Sequence, residues 1–119
     1  MFALEWCEFC CSVRKMLAKY EIPYTSIDID SVTYAEDDRG AKIREVIKNK
    51  TTWNTFPQIF IGGEFIGGCT DLFDSCKDGT LAQQLQSKDI PMNTQSKDDP
   101  YSFLPKWLHF TIKTCLLWR

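Results

Sequence analysis

The pair Cys7-Glu8-Phe9-Cys10 sits where a short apolar segment gives way to a helix-periodic run, and that placement constrains the fold more than any other feature of the chain. Residues 2 to 4 can serve as a strand. Over residues 8 to 20, Phe9, Val13, Met16 and Tyr20 recur at helical spacing, Cys10 and Leu17 widen the stripe, and Arg14, Lys15 and Lys19 fall off it. Pro23 stops the helix soon afterwards. A C-x-x-C at a strand-to-helix junction is a redox motif with a physical basis. The unpaired N–H groups and partial positive charge of the helix N-terminus stabilise a thiolate on Cys7 and make it nucleophilic. Cys10, one turn on, is placed to resolve a mixed disulfide on Cys7. The competing reading is a metal site, but one C-x-x-C supplies half of the four ligands a closed zinc site takes. Cys69 and Cys76 are spaced like no zinc knuckle.

The remaining elements read in order. Residues 24 to 30 alternate, with Ile27 and Ile29 on one face, and predict a strand. Ile43, Val46 and Ile47 mark a second helix over residues 40 to 49. The run Gln58-Ile59-Phe60-Ile61, the turn Gly62-Gly63 and the return Glu64-Phe65-Ile66 predict a hairpin. Residues 70 to 77 form a short helix with Leu72, Phe73 and Cys76 inward, ended by Gly79, and Thr80 caps a last helix carrying Leu81 and Leu85. The order is β-α-β-α-β-β-α with a final short helix. It predicts an α/β domain over residues 1 to 86 whose first crossover is right-handed and whose sheet is mixed. Residues 87 to 100 are polar and read as a linker. Residues 101 to 119 are apolar and aromatic, and are expected to pack on the domain or to stay partly disordered. Trp107, Phe110, Thr114 and Leu117 lie near one face of a helix there.

With 119 residues, 44% of them hydrophobic, the chain can bury one core without staples. Its net charge of -2 gives no global reason to bind nucleic acid or an anionic membrane. The N-terminus has no basic region followed by an apolar stretch, and no run of apolar residues is long enough to span a membrane. The six cysteines cluster unevenly, and a reducing cytoplasmic setting with one redox pair fits them better than a secreted disulfide framework.

Two further constellations carry chemistry. Thr55-Phe56-Pro57 precedes a core strand. Were its peptide bond cis, Phe56 would turn its N–H and C=O toward Cys7 and could pair with a peptide-like ligand as an added strand; the alternative is an ordinary strand-start proline. Gly67-Gly68-Cys69-Thr70-Asp71 opens a helix. Glycine permits close backbone approach, the helix N-terminus offers donors to a carboxylate, and Asp71 can accept from an ammonium. Together these suit an α-amino-acid end, although Gly-Gly also marks plain turns.

The C-x-x-C together with Thr55-Phe56-Pro57-Gln58-Ile59-Phe60-Ile61-Gly62-Gly63 and Ile66-Gly67-Gly68-Cys69-Thr70-Asp71-Leu72 resembles, in order and spacing, the three sequence blocks of the glutaredoxin family over residues 2 to 86. The resemblance implies a thioredoxin-like fold with a four-stranded mixed sheet. It also implies a dithiol enzyme that reduces protein disulfides and protein–glutathione mixed disulfides, with glutathione as reductant and NADPH and glutathione reductase behind it. Cys7 would be the nucleophile and Cys10 the resolving thiol. Phe9, where the family usually has Tyr, Thr55, Phe56 and Pro57 would flank the cysteinyl part of glutathione. Gly68, Cys69, Thr70 and Asp71 would hold its γ-glutamyl end, and Arg44, with Lys42 and Lys48 as rivals, its glycine carboxylate. Some members of the family hold a [2Fe–2S] cluster between two protomers, ligated by the active cysteine and glutathione, so a cluster-binding module is the alternative. A third reading, an adaptor docking through the aromatic tail, is opposed by the intact cysteine pair.

Three departures from the family pattern stand out. Glu8 replaces the usual proline, Leu4 and Glu5 stand where a basic residue commonly precedes the motif, and Phe9 lacks a hydroxyl. Negative Glu5 and Glu8 are expected to oppose the thiolate and the carboxylates of glutathione. Trp6 can shield the thiol, contact substrate or sit half-buried at a strand end. Cys11 and Cys76 read as structural thiols, Cys115 as free, and His109 lies too far along the sequence to serve as the base.

Overall fold

Among the described residues, four short strands line up in the order second, first, third, fourth, with helices against them. The structure, a computed structural model, describes residues 1–93 and 99–104. Strand β1 (Phe2–Ala3) pairs in parallel with β2 (Ile27–Asp28), Phe2 against Ile27 and Ala3 against Asp28. Strand β3 (Ile59–Ile61) pairs antiparallel with β4 (Glu64–Gly67). The expected single four-stranded sheet is reduced at its centre to one antiparallel bridge, in which Phe2 and Gln58 exchange both backbone hydrogen bonds, at 2.9 and 2.8 Å. The ladder stops there for a local reason. The Leu4 N–H donates to Cys10 Sγ at 3.5 Å and the Leu4 carbonyl accepts from Arg14 at 3.2 Å, so neither is available to a neighbouring strand. The predicted strand over 24 to 30 likewise shrinks to its centre, and Tyr24 is exposed.

Helix α1 (Glu8–Lys19) carries the predicted stripe, with Cys10, Val13, Met16 and Leu17 buried. It packs with α3 (Cys69–Asp78) and α4 (Thr80–Ser87) around Met16, Leu72, Phe73, Leu81 and Leu85, closed from the sheet side by Ile59 and Ile61. Helix α2 (Arg39–Thr51) extends beyond both predicted ends. Its buried face is Gly40, Ile47 and Thr51, and Val46 is 66% exposed, contrary to expectation. Residues 40, 47 and 51 share a face at helical spacing, and position 46 lies off it. A Cβ on Gly40 would collide with the Ile29 carbonyl, so the bare backbone of α2 abuts the end of β2. Thr80 does not cap α4. Gly79, at φ 86°, holds that position, and the Thr80 N–H donates to Asp78 Oδ1 at 2.8 Å.

Beyond residue 86, Ile90 and Met92 pack against the core and Leu104 lies in it. A short 3-10 turn (Pro100–Phe103) is fastened to the helices. Ser12 Oγ donates to the Phe103 carbonyl at 3.1 Å, the Tyr101 ring meets Phe73 edge-on at 5.3 Å, and the Tyr101 hydroxyl donates to Asp74. His109, Cys115 and the aromatic stripe of the tail lie outside the described residues. Among the described residues, no helix is long and apolar enough to cross a membrane.

Candidate active site

Cys7 occupies the N-cap position of α1, with extended backbone (φ -96°, ψ 126°) and its carbonyl accepting the Cys11 N–H at 2.9 Å. Its side chain is half-buried, and Sγ lies 3.9 Å from the Phe56 carbonyl oxygen. The thiol is lowered from its ordinary value to about 6, chiefly by a hydrogen bond from the Cys10 side chain. Burial works the other way, and the backbone N–H groups of Cys10 and Phe9 and the positive charge of Arg14 add to the lowering. Cys10 is fully buried, and its thiol is raised strongly because it donates to the Cys7 sulfur and is desolvated. At neutral pH the pair is therefore a thiolate on Cys7 and a thiol on Cys10. This is the division of labour expected of nucleophile and resolving group.

The acidic flank does not hold Cys7 at its ordinary value. Glu5 and Glu8 are exposed, where water screens them. The positive charge of Arg14 acts in the other sense and lowers the thiol. Its guanidinium donates to the Leu4 carbonyl at 3.2 Å and to Asp28 Oδ1 at 2.8 Å, which holds the charge below the cysteine loop. Sequence reading passed over Arg14 because it falls off the apolar stripe. The available signal was its spacing, since positions 7, 10 and 14 share one helix face. Arg14→Gln is expected to raise the Cys7 pKa, visible in ultraviolet thiolate absorbance against pH. An unchanged titration would show that the charge is screened from the sulfur.

The other two constellations close on this pair. The Phe56–Pro57 peptide bond is cis, and the Phe56 carbonyl faces Cys7. Gly68 abuts the same loop, because a Cβ there would lie 3.2 Å from the Pro57 carbonyl and 3.3 Å from the Trp53 ring. Gly67 has φ 119°, a conformation that disfavours a side chain, and a Cβ on it would strike the Asp71 carboxylate. Asp71 Oδ2 accepts the Gly68 N–H at 2.9 Å and ties the loop to the first turn of α3. Cys69 and Thr70 are both buried in that turn, and the Cys69 thiol is pushed up to about 12, first by burial. Thr55 is exposed beside Phe56. Arg44 lies over the Phe56 ring, 5.2 Å from its centroid, so α2 contributes a cation to the rim. Phe9 is partly buried against the core, and Trp6 is 90% exposed, neither shielding the thiol nor sitting half-buried.

Gln58 was also passed over. Its side chain is completely buried, accepts from Thr51 Oγ1 at 3.0 Å, and donates through Nε2 to the Trp53 and Thr55 carbonyls, each at 3.1 Å. It thereby shapes the loop that presents Phe56. A lone amide in a β-rich apolar run was the available clue.

A low-pKa thiolate at a helix start, backed by a buried thiol and faced by a cis-proline loop, performs thiol–disulfide exchange, and on this topology it defines an oxidoreductase of thioredoxin-like fold. Comparison with known proteins narrows the class. The glutaredoxin family model matches residues 1–66, and the chain belongs to the glutaredoxin family. It is 34% identical over 88 residues to glutaredoxin 1 of Rickettsia bellii, covering 74% of this chain and 86% of that one. It is 32% identical over 85 residues to glutaredoxin-1 of Rhizophagus irregularis, covering 71% and 79%. Among solved structures it resembles the buckwheat glutaredoxin–glutathione complex, with a TM-score of 0.64 and 31% identity over 72% of this chain and 74% of that one. Among the described residues, no group of three or more His, Cys, Asp or Glu side chains is arranged to hold a metal ion.

Proposed function

We propose that this oxidoreductase draws its electrons from glutathione and reduces protein–glutathione mixed disulfides and protein disulfides through Cys7. The observation that carries the reading is the convergence of Arg44, Phe56, Pro57 and Gly68 around the Cys7 thiolate. These groups offer a cation, backbone polar groups beside a cis-proline, and a helix N-terminus, which match the carboxylates and peptide units of a γ-glutamyl tripeptide. The likeness to a buckwheat protein solved with glutathione supports the same assignment.

In the monothiol route the Cys7 thiolate attacks the glutathione sulfur of a mixed disulfide. The substrate sulfur leaves and takes a proton. A second glutathione thiolate then attacks the Cys7–glutathione disulfide, releasing glutathione disulfide and restoring the thiolate. In the dithiol route the Cys7 thiolate attacks a protein disulfide and one substrate thiolate leaves. Cys10 then loses its proton and attacks the Cys7 sulfur, expelling the second substrate thiolate and closing the Cys7–Cys10 disulfide, which two glutathione thiolates reduce in turn with release of glutathione disulfide. Phe56 would align the cysteinyl part, with Phe9 and Thr55 beside it. Gly68, Cys69, Thr70 and Asp71 would hold the γ-glutamyl end, and Arg44 the glycine carboxylate.

Reduction of a glutathionylated peptide, coupled to NADPH and glutathione reductase, tests the reading. Turnover is expected to saturate with glutathione, and Arg44→Glu is expected to raise the KM for glutathione by about tenfold, the loss of one charged contact. Turnover that ignores glutathione concentration overturns the proposal. A folded, brown, anaerobically purified protein without reductase activity would instead favour the [2Fe–2S] module, in which Cys7 is the protein ligand.

A further inference from the structure

We propose that Trp6, between Glu5 and the motif residues Cys7 and Glu8, forms a docking lip that selects disulfide substrates carrying lysine or arginine close to the reacting sulfur. Among the described residues Trp6 is the most exposed aromatic, at 90%, and it directly precedes the nucleophile. The Trp6 and Cys7 backbones lie about 3.8 Å apart, which leaves the exposed indole within reach of a polypeptide bound at Cys7. An exposed indole beside a reaction centre gains from being covered, and tryptophan is enriched among the residues that dominate binding.

The lip is held in place on both sides. The Glu5 N–H donates to Asp30 Oδ1 at 2.7 Å, and Cys7 is fixed as the first anchor of α1. Trp6 is thus suspended between two tethered residues, which lowers the ordering cost of docking.

Charge decides which partner fits. Glu5, Glu8 and Asp30 are all exposed around Trp6. Their negative charge, screened by water from the Cys7 thiolate, does not serve activation. What it favours is a cationic side chain, which can lie on the indole face and meet a carboxylate. Arg44, stacked on the Phe56 ring, adds a cation to the cis-proline side of the site. A substrate thus meets acidic and aromatic groups next to Cys7 in the chain and a cation over Phe56.

The inference rests on thiol–disulfide exchange at Cys7 and is independent of the electron donor. A single-turnover experiment therefore separates it from the glutathione reading. Fully reduced enzyme is mixed with symmetric disulfides of short peptides whose cysteine is flanked by lysine, serine or glutamate, and with hydroxyethyl disulfide. The Cys7 thiolate breaks the peptide S–S bond, and one peptide thiolate leaves and is protonated. Cys10 then gives up its proton and attacks Cys7, freeing the second peptide thiol, so the enzyme dithiol supplies both electrons. The lysine peptide is expected to react about tenfold faster than the glutamate peptide at low salt, and the difference to shrink in high salt. Trp6→Ala is expected to lower the ratio of lysine-peptide to hydroxyethyl-disulfide rates about fivefold, the loss of one exposed hot-spot contact. Glu5→Gln with Glu8→Gln is expected to narrow the lysine-to-glutamate ratio. Equal rates for the three peptides, or an unchanged ratio in Trp6→Ala, would overturn the proposal.

Discussion

Cys7→Ser is expected to abolish disulfide reduction, by roughly 10³-fold or more, because a serine hydroxyl is neither ionised nor a competent leaving group in exchange. Cys10→Ser, in contrast, is expected to retain turnover of mixed disulfides while losing the internal disulfide. The two substitutions differ because the two sulfurs do. Cys7 is a thiolate above about pH 6, whereas the Cys10 thiol is raised and stays protonated. The wild-type rate should therefore climb through about pH 6 and level off above it, since only the ionised form attacks. The largest contribution to that low value is the hydrogen bond from the Cys10 thiol. A hydroxyl at position 10 preserves a donor and a methyl group does not, so the profile of Cys10→Ala should move to higher pH than that of Cys10→Ser. The measurement is kcat/KM against pH for the four proteins. Residual activity in folded Cys7→Ser would remove Cys7 from the role of nucleophile, and a Cys10→Ala profile coincident with wild type would remove Cys10 from the activation of Cys7.

The cysteine pair was legible because its chemistry follows from local structure: a helix start needs only the stripe at 9, 13, 16 and 20 to be recognised, and α1 forms where that stripe predicts. The hairpin was legible for the same reason, with Gly62 and Gly63 both at positive φ in its turn. What could not be read depends on contacts between different structural elements. Nothing local says that Leu4 spends its N–H on Cys10 and its carbonyl on Arg14, which is why the sheet narrows to the Phe2–Gln58 bridge. Val46 looks like a core residue by type, and its exposure is decided by how Gly40 sets α2 against Ile29. Arg44 could be placed near the site only through family resemblance. The helix period put it on an exposed face, and its position over Phe56 is a tertiary fact. Trp6 had three readings from sequence, and its exposure opposes two of them, the shield and the half-buried strand end.

Gln58 joins fold and site, and its substitution is expected to have the largest effect on stability of those considered. The side chain is completely buried and uses its amide nitrogen for the Trp53 and Thr55 carbonyls. Gln58→Glu keeps the shape and replaces both donor hydrogens with a carboxylate oxygen facing two carbonyls. An unpaired buried charge costs several times the roughly 1 kcal/mol of an ordinary hydrogen bond, so a loss of about 3 kcal/mol or more is expected near neutral pH. The pH dependence has a definite sign. Burial raises the folded-state pKa of the introduced carboxyl above its unfolded value, so the folded protein binds the extra proton. The deficit relative to wild type is therefore smallest in acid and grows as pH rises through the raised folded-state pKa. A protonated carboxyl has one donor, so one of the two carbonyls stays unsatisfied and recovery in acid is incomplete. Where the variant remains folded, the segment from Trp53 to Thr55 loses an anchor and Phe56 is no longer held against Cys7, so activity should fall further than the folded fraction does. Urea denaturation of wild type and variant at about pH 5 and about pH 7.5, together with turnover at the same pH values, reads both effects. A pH-independent difference in stability would mean that the position 58 carboxyl escapes to water and that the loop is held by other contacts.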